Sequence, residues 1–167
     1  MGPKTTENLK AAFAGESQAH MKYMIFADKA EKEGFRNIAR LFSAVSFAER
    51  VHATAHHNVV FGVKPTSNNL ETAIGGETYE VETMYPDFRA AAEKEGEQGA
   101  LTTIRFALEA EKIHAKLYSR AKAAAAGGKD LAIGDIFICS VCGHTTEGGA
   151  PDTCPVCGAK KEMFRKF

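Results

Sequence analysis

Ala48-Glu49-Arg50-Val51-His52-Ala53 returns 62 positions later as Ala110-Glu111-Lys112-Ile113-His114-Ala115. Ala30-Glu31-Lys32-Glu33-Gly34 likewise returns as Ala92-Glu93-Lys94-Glu95-Gly96, and Tyr23 and Phe26 match Tyr85 and Phe88, all at the same 62-residue offset. Around these segments, from about residue 5 to 126, Ala, Glu, Lys, Leu and Arg dominate and apolar residues recur at steps of three and four, which is the helical period. Breaks at Gly34, at Lys64-Pro65-Thr66-Ser67-Asn68-Asn69, at Gly96 and at Gly127-Gly128 place helices at about 6–33, 36–62, 69–95 and 98–126. At a rise of about 1.5 Å per residue such helices span about 40 Å, and their short connections favour antiparallel neighbours. The expected architecture is a four-helix bundle over 1–133, built as a duplicated helical hairpin around a pseudo-twofold axis.

A duplicated hairpin places equivalent ligands on its axis. Glu49-x-x-His52 and Glu111-x-x-His114 are i, i+3 pairs, so each projects both side chains from one helix face. Glu16 and Glu77, in Gly15-Glu16-Ser17 and Gly76-Glu77-Thr78, add one carboxylate from each of the other two helices. One Glu from each of two helices with Glu-x-x-His from each of the others is the ligand set of ferritin-like di-iron bundles. Four carboxylates converging without cations would repel and be costly to desolvate, whereas two divalent ions balance them; oxygen and imidazole donors suit iron or manganese. A lone Glu-x-x-His is usually a solvated face, but two in register within a repeat, each with a matching Glu, point to metal. His20 reads as a hydrogen-bonded structural histidine, His56 and His57 lie toward the bundle end, and Glu82 faces solvent. Tyr23 and Tyr85 bring phenols toward the site or fill the core.

The texture changes after residue 134. Cys139-Ser140-Val141-Cys142-Gly143 and Cys154-Pro155-Val156-Cys157-Gly158 hold all four cysteines. Two such knuckles make a tetrahedral S4 site for iron or zinc in a small β module over 134–167, of the rubredoxin or zinc-ribbon type. Each trailing glycine is expected to leave room for backbone N–H groups to approach sulfur. Four thiolates suffice, so His144 is not needed as a ligand. Phe137, Phe164 and Phe167 are the expected core of this module, which relies on its metal for order.

Bulk properties exclude other classes. The 21 basic and 21 acidic side chains give zero net charge, so nothing recommends nucleic acid or an anionic membrane as partner. No apolar run approaches the roughly 20 residues of a membrane span, and no leader is expected in the polar start. The expectation is a soluble, cytoplasmic protein. Met1-Gly2-Pro3-Lys4-Thr5-Thr6 fits the loose myristoylation pattern, which short sequences match by chance.

These residues together resemble the rubrerythrin family: Phe13-Ala14-Gly15-Glu16-Ser17-Gln18-Ala19, Glu49-x-x-His52, Gly76-Glu77-x-x-Glu80 running into Met84-Tyr85-Pro86, Glu111-x-x-His114, and the two knuckles. The resemblance covers essentially the whole chain. It implies a di-iron site held by Glu16, Glu49, His52, Glu77, Glu80, Glu111 and His114, and one further iron on Cys139, Cys142, Cys154 and Cys157, where zinc can also sit. It implies reduction of hydrogen peroxide to water, with electrons arriving through the Fe(Cys)4 centre from an NAD(P)H-dependent reductase or a rubredoxin. The family is similar to dimers in which that centre serves the di-iron site of the partner subunit, so a homodimer or higher homo-oligomer is expected. Candidates for the chemistry are Glu80, His52, Tyr23 and Tyr85, with Glu80 expected near the iron on the His52 side when oxidised. The rival readings are iron oxidation and storage, and a non-catalytic electron carrier with a structural zinc ribbon.

One irregularity sharpens the picture. Glu16 and Glu77 lie 61 apart, while Tyr23 and Tyr85 lie 62 apart. One extra residue therefore lies between 78 and 85, and an insertion inside a helix is most simply absorbed as a π-bulge. An i→i+5 distortion is expected between about 78 and 86, next to Glu80 and Pro86.

Overall fold

Pro3 occupies the first turn of the first helix, where its missing N–H costs nothing. From there the computed structural model describes residues 1–167 as helices α1 (Pro3–Lys32), α2 (Arg36–Val60), α3 (Thr66–Tyr79), α4 (Tyr85–Glu95) and α5 (Gln98–Ala126). Strands β1 (Ile136–Cys139), β2 (Thr145–Glu147) and β3 (Phe164–Lys166) follow. The order is that of a ferritin-like helical region followed by a rubredoxin-like domain. α3 starts at Thr66, three residues before the expected start at 69. Pro65 is extended (φ −51°, ψ 149°) and caps the helix directly, so the polar residues Thr66, Ser67 and Asn68 form its first turn.

Between α3 and α4 the chain is continuous helix with a π-helical turn at Glu80–Met84. The Tyr85 N–H donates to the Glu80 carbonyl, the i→i+5 bond that the unequal repeat predicts.

Residues 1–63 and 64–167 form two compact units. In the first, α1 packs along α2 as a hairpin, and its most buried residues are small: Ala27, Ala30, Ala39, Ser46 and Ala53. Small side chains let two helix backbones approach closely. Ser46 donates from Oγ to the His20 carbonyl at 2.9 Å, and its Oγ also lies 2.9 Å from His20 Nδ1. His20 is thus a structural cross-link between α1 and α2. Its larger side chains, Leu41, Ile25 and Val59 among them, are exposed.

In the second unit α3, α4 and the π-turn pack along α5. Ala92, the repeat mate of Ala30, is buried to the same degree, and Ala110 more deeply. The three strands make an antiparallel sheet in the order β2-β1-β3, with Phe137 opposite Thr146 and Cys139 opposite Phe164. This module docks on α5. The Arg105 guanidinium donates to the Val156 carbonyl at 2.7 Å, and Arg120 donates to Glu147 at 2.7 Å.

The module's core departs from expectation. Its buried hydrophobic residues are Cys139, Cys142 and Cys154, covered by Phe164, Val156 and, from α5, Phe106. Phe167 is 63% exposed, with Arg165 over its ring, because the β3 edge ends in solvent.

Candidate metal centres

The two knuckles are twins. Gly143 and Gly158 both have φ +77°, and each donates its N–H to the first cysteine of its knuckle, at 2.9 Å. Left-handed backbone, not room, is why glycine stands there: a Cβ on Gly158 would meet nothing within 4 Å, and one on Gly143 only Ala110 Cβ at 3.7 Å. The turns bring four sulfurs together, with Cys139–Cys157 and Cys142–Cys154 Sγ pairs each 3.6 Å apart. A tetrahedral ion with bonds of about 2.3 Å needs sulfurs about 3.8 Å apart, so the residues fit one. Burial pushes the Cys142 thiol up, as expected where thiols crowd without a cation. At Cys154 burial acts the same way, but the backbone N–H groups of Cys157 and Val156 outweigh it and draw the thiol down to about 7. Those N–H donors would stabilise bound thiolate. His144 stands outside the set; its ring meets Phe164 edge-on, and burial lowers its pKa.

The carboxylates and histidines gather as two triads, Glu16–Glu49–His52 on α1 and α2, and Glu77–Glu111–His114 on α3 and α5. In each, one ligand atom per residue lies within 4.8 Å of the others. His52 Nδ1 is 3.1 Å from Glu49 Oε2, and His114 Nδ1 is 2.6 Å from Glu111 Oε2. Both histidines therefore turn the same nitrogen to their own glutamate, and each triad offers a cation two carboxylates and one imidazole. The strain of crowding is visible in the second. Burial, then the hydrogen bond and the charge of Glu111, raise Glu77 to about 7. Like charges held close raise a carboxyl in this way, and a cation held between the two would oppose the shift.

Glu80 sits on the π-turn. Burial and Glu111 raise its pKa while His114 draws it down, so within its own unit Glu80 faces Glu111 and His114. Tyr85 is held protonated by burial and by the charges of Glu80, Glu111 and Glu77. Tyr23 sits in an aromatic cluster, with Phe42 at 6.1 Å and Phe26 at 6.2 Å. His57 packs against Phe13 and Phe61 and is not one of the triad residues.

Two side chains that periodicity did not mark lie beside these centres: Phe106 over the cysteines and Thr145 against His114. Thr145 Oγ1 is 2.7 Å from His114 Nε2 and donates to the Gly143 carbonyl at 3.1 Å.

Comparison with known proteins agrees in both regions. Residues 7–122 match the family model described as rubrerythrin, and residues 137–165 that described as the rubrerythrin rubredoxin-like domain. Rubrerythrin-2 of Clostridium acetobutylicum is 42% identical over 98% of this chain and 96% of the relative. Nigerythrin of Nitratidesulfovibrio vulgaris is 35% identical over 98% and 86%. The structure of fully reduced, all-ferrous nigerythrin is similar with a TM-score of 0.57 and 33% identity, covering 100% of this chain and 88% of that one.

Proposed function

The chain belongs to the rubrerythrin family, and on that premise we propose that it is a non-haem di-iron peroxidase that reduces hydrogen peroxide to water. The family's carboxylate–histidine di-iron site and four-cysteine metal site are both present as donor sets. The observation that carries the reading is their coexistence: a one-electron S4 centre beside a two-metal carboxylate site makes sense if two-electron chemistry must be refilled. Iron storage alone would not need the cysteines.

In this reading Glu16, Glu49, His52, Glu77, Glu111 and His114 hold two irons, Glu80 is a seventh ligand, and the four cysteines hold one. Bound iron supplies the electrons, two per peroxide, and two protons complete two waters. The protein's part is to place charge and protons. The glutamates would balance the charge of the bound metals. Tyr85, held protonated beside Glu80, keeps an O–H at the site; Tyr23, within its aromatic cluster, is the weaker candidate. Electrons arrive from an NAD(P)H-dependent reductase or a rubredoxin. No helix is long and apolar enough to cross a membrane, and we place the protein in the cytoplasm as a homodimer, without nucleic acid.

Anaerobic metal analysis of protein from native cells, combined with steady-state peroxide consumption, tests this. Two irons outside the cysteine site and donor-dependent turnover without net iron uptake are expected. Cys142→Ser should leave oxidation of a pre-reduced di-iron site intact and abolish turnover from the external donor. Iron accumulation in place of turnover would favour storage, and zinc in the cysteine site of native protein would favour a structural ribbon.

A further inference from the structure

The two Glu-x-x-His pairs are twins in sequence but not in surroundings. The His52 side chain is 57% exposed, and only its Nδ1 has a partner, Glu49. The His114 side chain is 28% exposed and is held at both nitrogens, by Glu111 on Nδ1 and by Thr145 on Nε2. Thr145 is itself 5% exposed, one of the two buried polar side chains of the chain. Its hydroxyl donates to the carbonyl of Gly143, the residue that follows Cys142.

We propose that Thr145 is a positioning residue that ties the four-cysteine module to His114 of the same chain and presents His114 Nδ1 to a metal shared with Glu111. The inference rests on the proposed metal role of Glu111 and His114. Hydrogen-bond bookkeeping fixes the direction. The Thr145 hydroxyl has one proton and gives it to the Gly143 carbonyl, so toward His114 the oxygen accepts. Nε2 must then carry a proton, and a neutral imidazole so bonded leaves Nδ1 with its lone pair facing Glu111. Metal-ligating histidines are commonly held in this way through their second nitrogen, and losing the holding group weakens the metal. The peculiarity here is where the holding group comes from. It lies on β2, three residues beyond Cys142, so the fold of one metal module sets the imidazole of the other. A mixed path follows: Cys142 is joined by its peptide bond to Gly143, and hydrogen bonds continue through the Gly143 carbonyl and the Thr145 hydroxyl to His114. It lies within one chain, whereas the resemblance implied service to the partner subunit.

Zinc is the probe, in full-length protein with ¹⁵N-labelled histidine. In the zinc-loaded wild type, NMR should show His114 as the Nε2–H tautomer with a slowly exchanging proton. Thr145→Val should lose that protected proton and bind zinc outside the cysteines about tenfold more weakly or worse. Thr145→Ser should restore both. Cobalt in the cysteine site, read by its thiolate charge-transfer absorption, should be the same in all three, which separates loss of the link from loss of the module. If Thr145→Val disturbs that absorption, the serine variant decides: a normal module without restored zinc affinity overturns the proposal. So does an Nδ1–H tautomer in the loaded wild type, or equal zinc affinity with and without the hydroxyl. A wild-type chain that binds zinc only at its cysteines overturns the underlying metal site itself, a distinct and recognisable failure.

Discussion

Glu80 is the residue at which the duplicated halves stop being equivalent, since the aligned positions of the first helix are Gln18 or Ala19. It faces Glu111 and His114, and as the proposed seventh ligand its added carboxylate would make the two metal positions unlike one another. Higher-charged iron favours hard oxygen donors over imidazole, so Glu80→Ala should still bind two irons but react more slowly with peroxide in stopped-flow mixing of the reduced protein. Unchanged kinetics would make Glu80 a bystander. A second residue-scale expectation concerns Glu147, whose carboxyl the Arg120 hydrogen bond holds below the ordinary range. A depressed carboxylate stabilises the folded form above its ordinary pKa and loses that effect as pH falls through the folded value. Acid below about pH 4 should therefore expose the 127–135 segment to protease more in the wild type than neutral pH does, and Glu147→Gln should be loosened already at neutral pH. The pair is exposed, so the effect is small. At this scale the clustered donor residues were legible because metal chemistry restricts residue type and spacing. Thr145 and Phe106 were not, since each contact spans about thirty residues or more and neither residue type announces it.

Among the elements, the π-turn tests most directly how one residue sets the phase of a helix. Each residue turns an α-helix by about 100°. Deleting Val81 should convert Glu80–Met84 to ordinary α-helix and rotate everything beyond it by that amount. Ala92 would leave its buried position against α5, and Tyr85 would turn away from Glu77 and Glu111. Circular dichroism should show undiminished helix, while thermal unfolding shows a loss of at least about 2 kcal/mol from misfitted packing. If the deletion variant melts like the wild type, the π-turn does not set this packing. This irregularity was readable because the duplication supplied an internal ruler: two offsets, 61 and 62, differ by the inserted residue. The start of α3 was not, because Thr66, Ser67 and Asn68 serve equally as loop and as first turn, and only the backbone of Pro65 decides between them.

For the molecule as a whole, the four-cysteine module is the part that its own apolar residues cannot hold. Its buried hydrophobic residues are cysteines, and without a metal they are crowded thiols whose burial raises Cys142. Chelation should therefore leave the helices largely intact by circular dichroism and render 135–167 sensitive to protease. A protected segment in chelated protein would show that Phe164, Val156 and Phe106 suffice without metal. The order of helices and knuckles was legible from end to end, because periodicity and Cys-x-x-Cys spacing are local. The seat of the module on α5 was not, because it is fixed by three separated anchors, Arg105, His114 and Arg120, on a helix whose sequence serves other ends as well. The connection between α5 and β1, residues 127–135, bears on how strong those anchors need to be. A short tether keeps its cargo at an effective concentration on the order of millimolar. Docking contacts whose own dissociation constant is no better than that already keep the module seated about half the time, and modestly stronger ones keep it seated nearly always. A few hydrogen bonds are enough, and each brief release ends in recapture by the same helix.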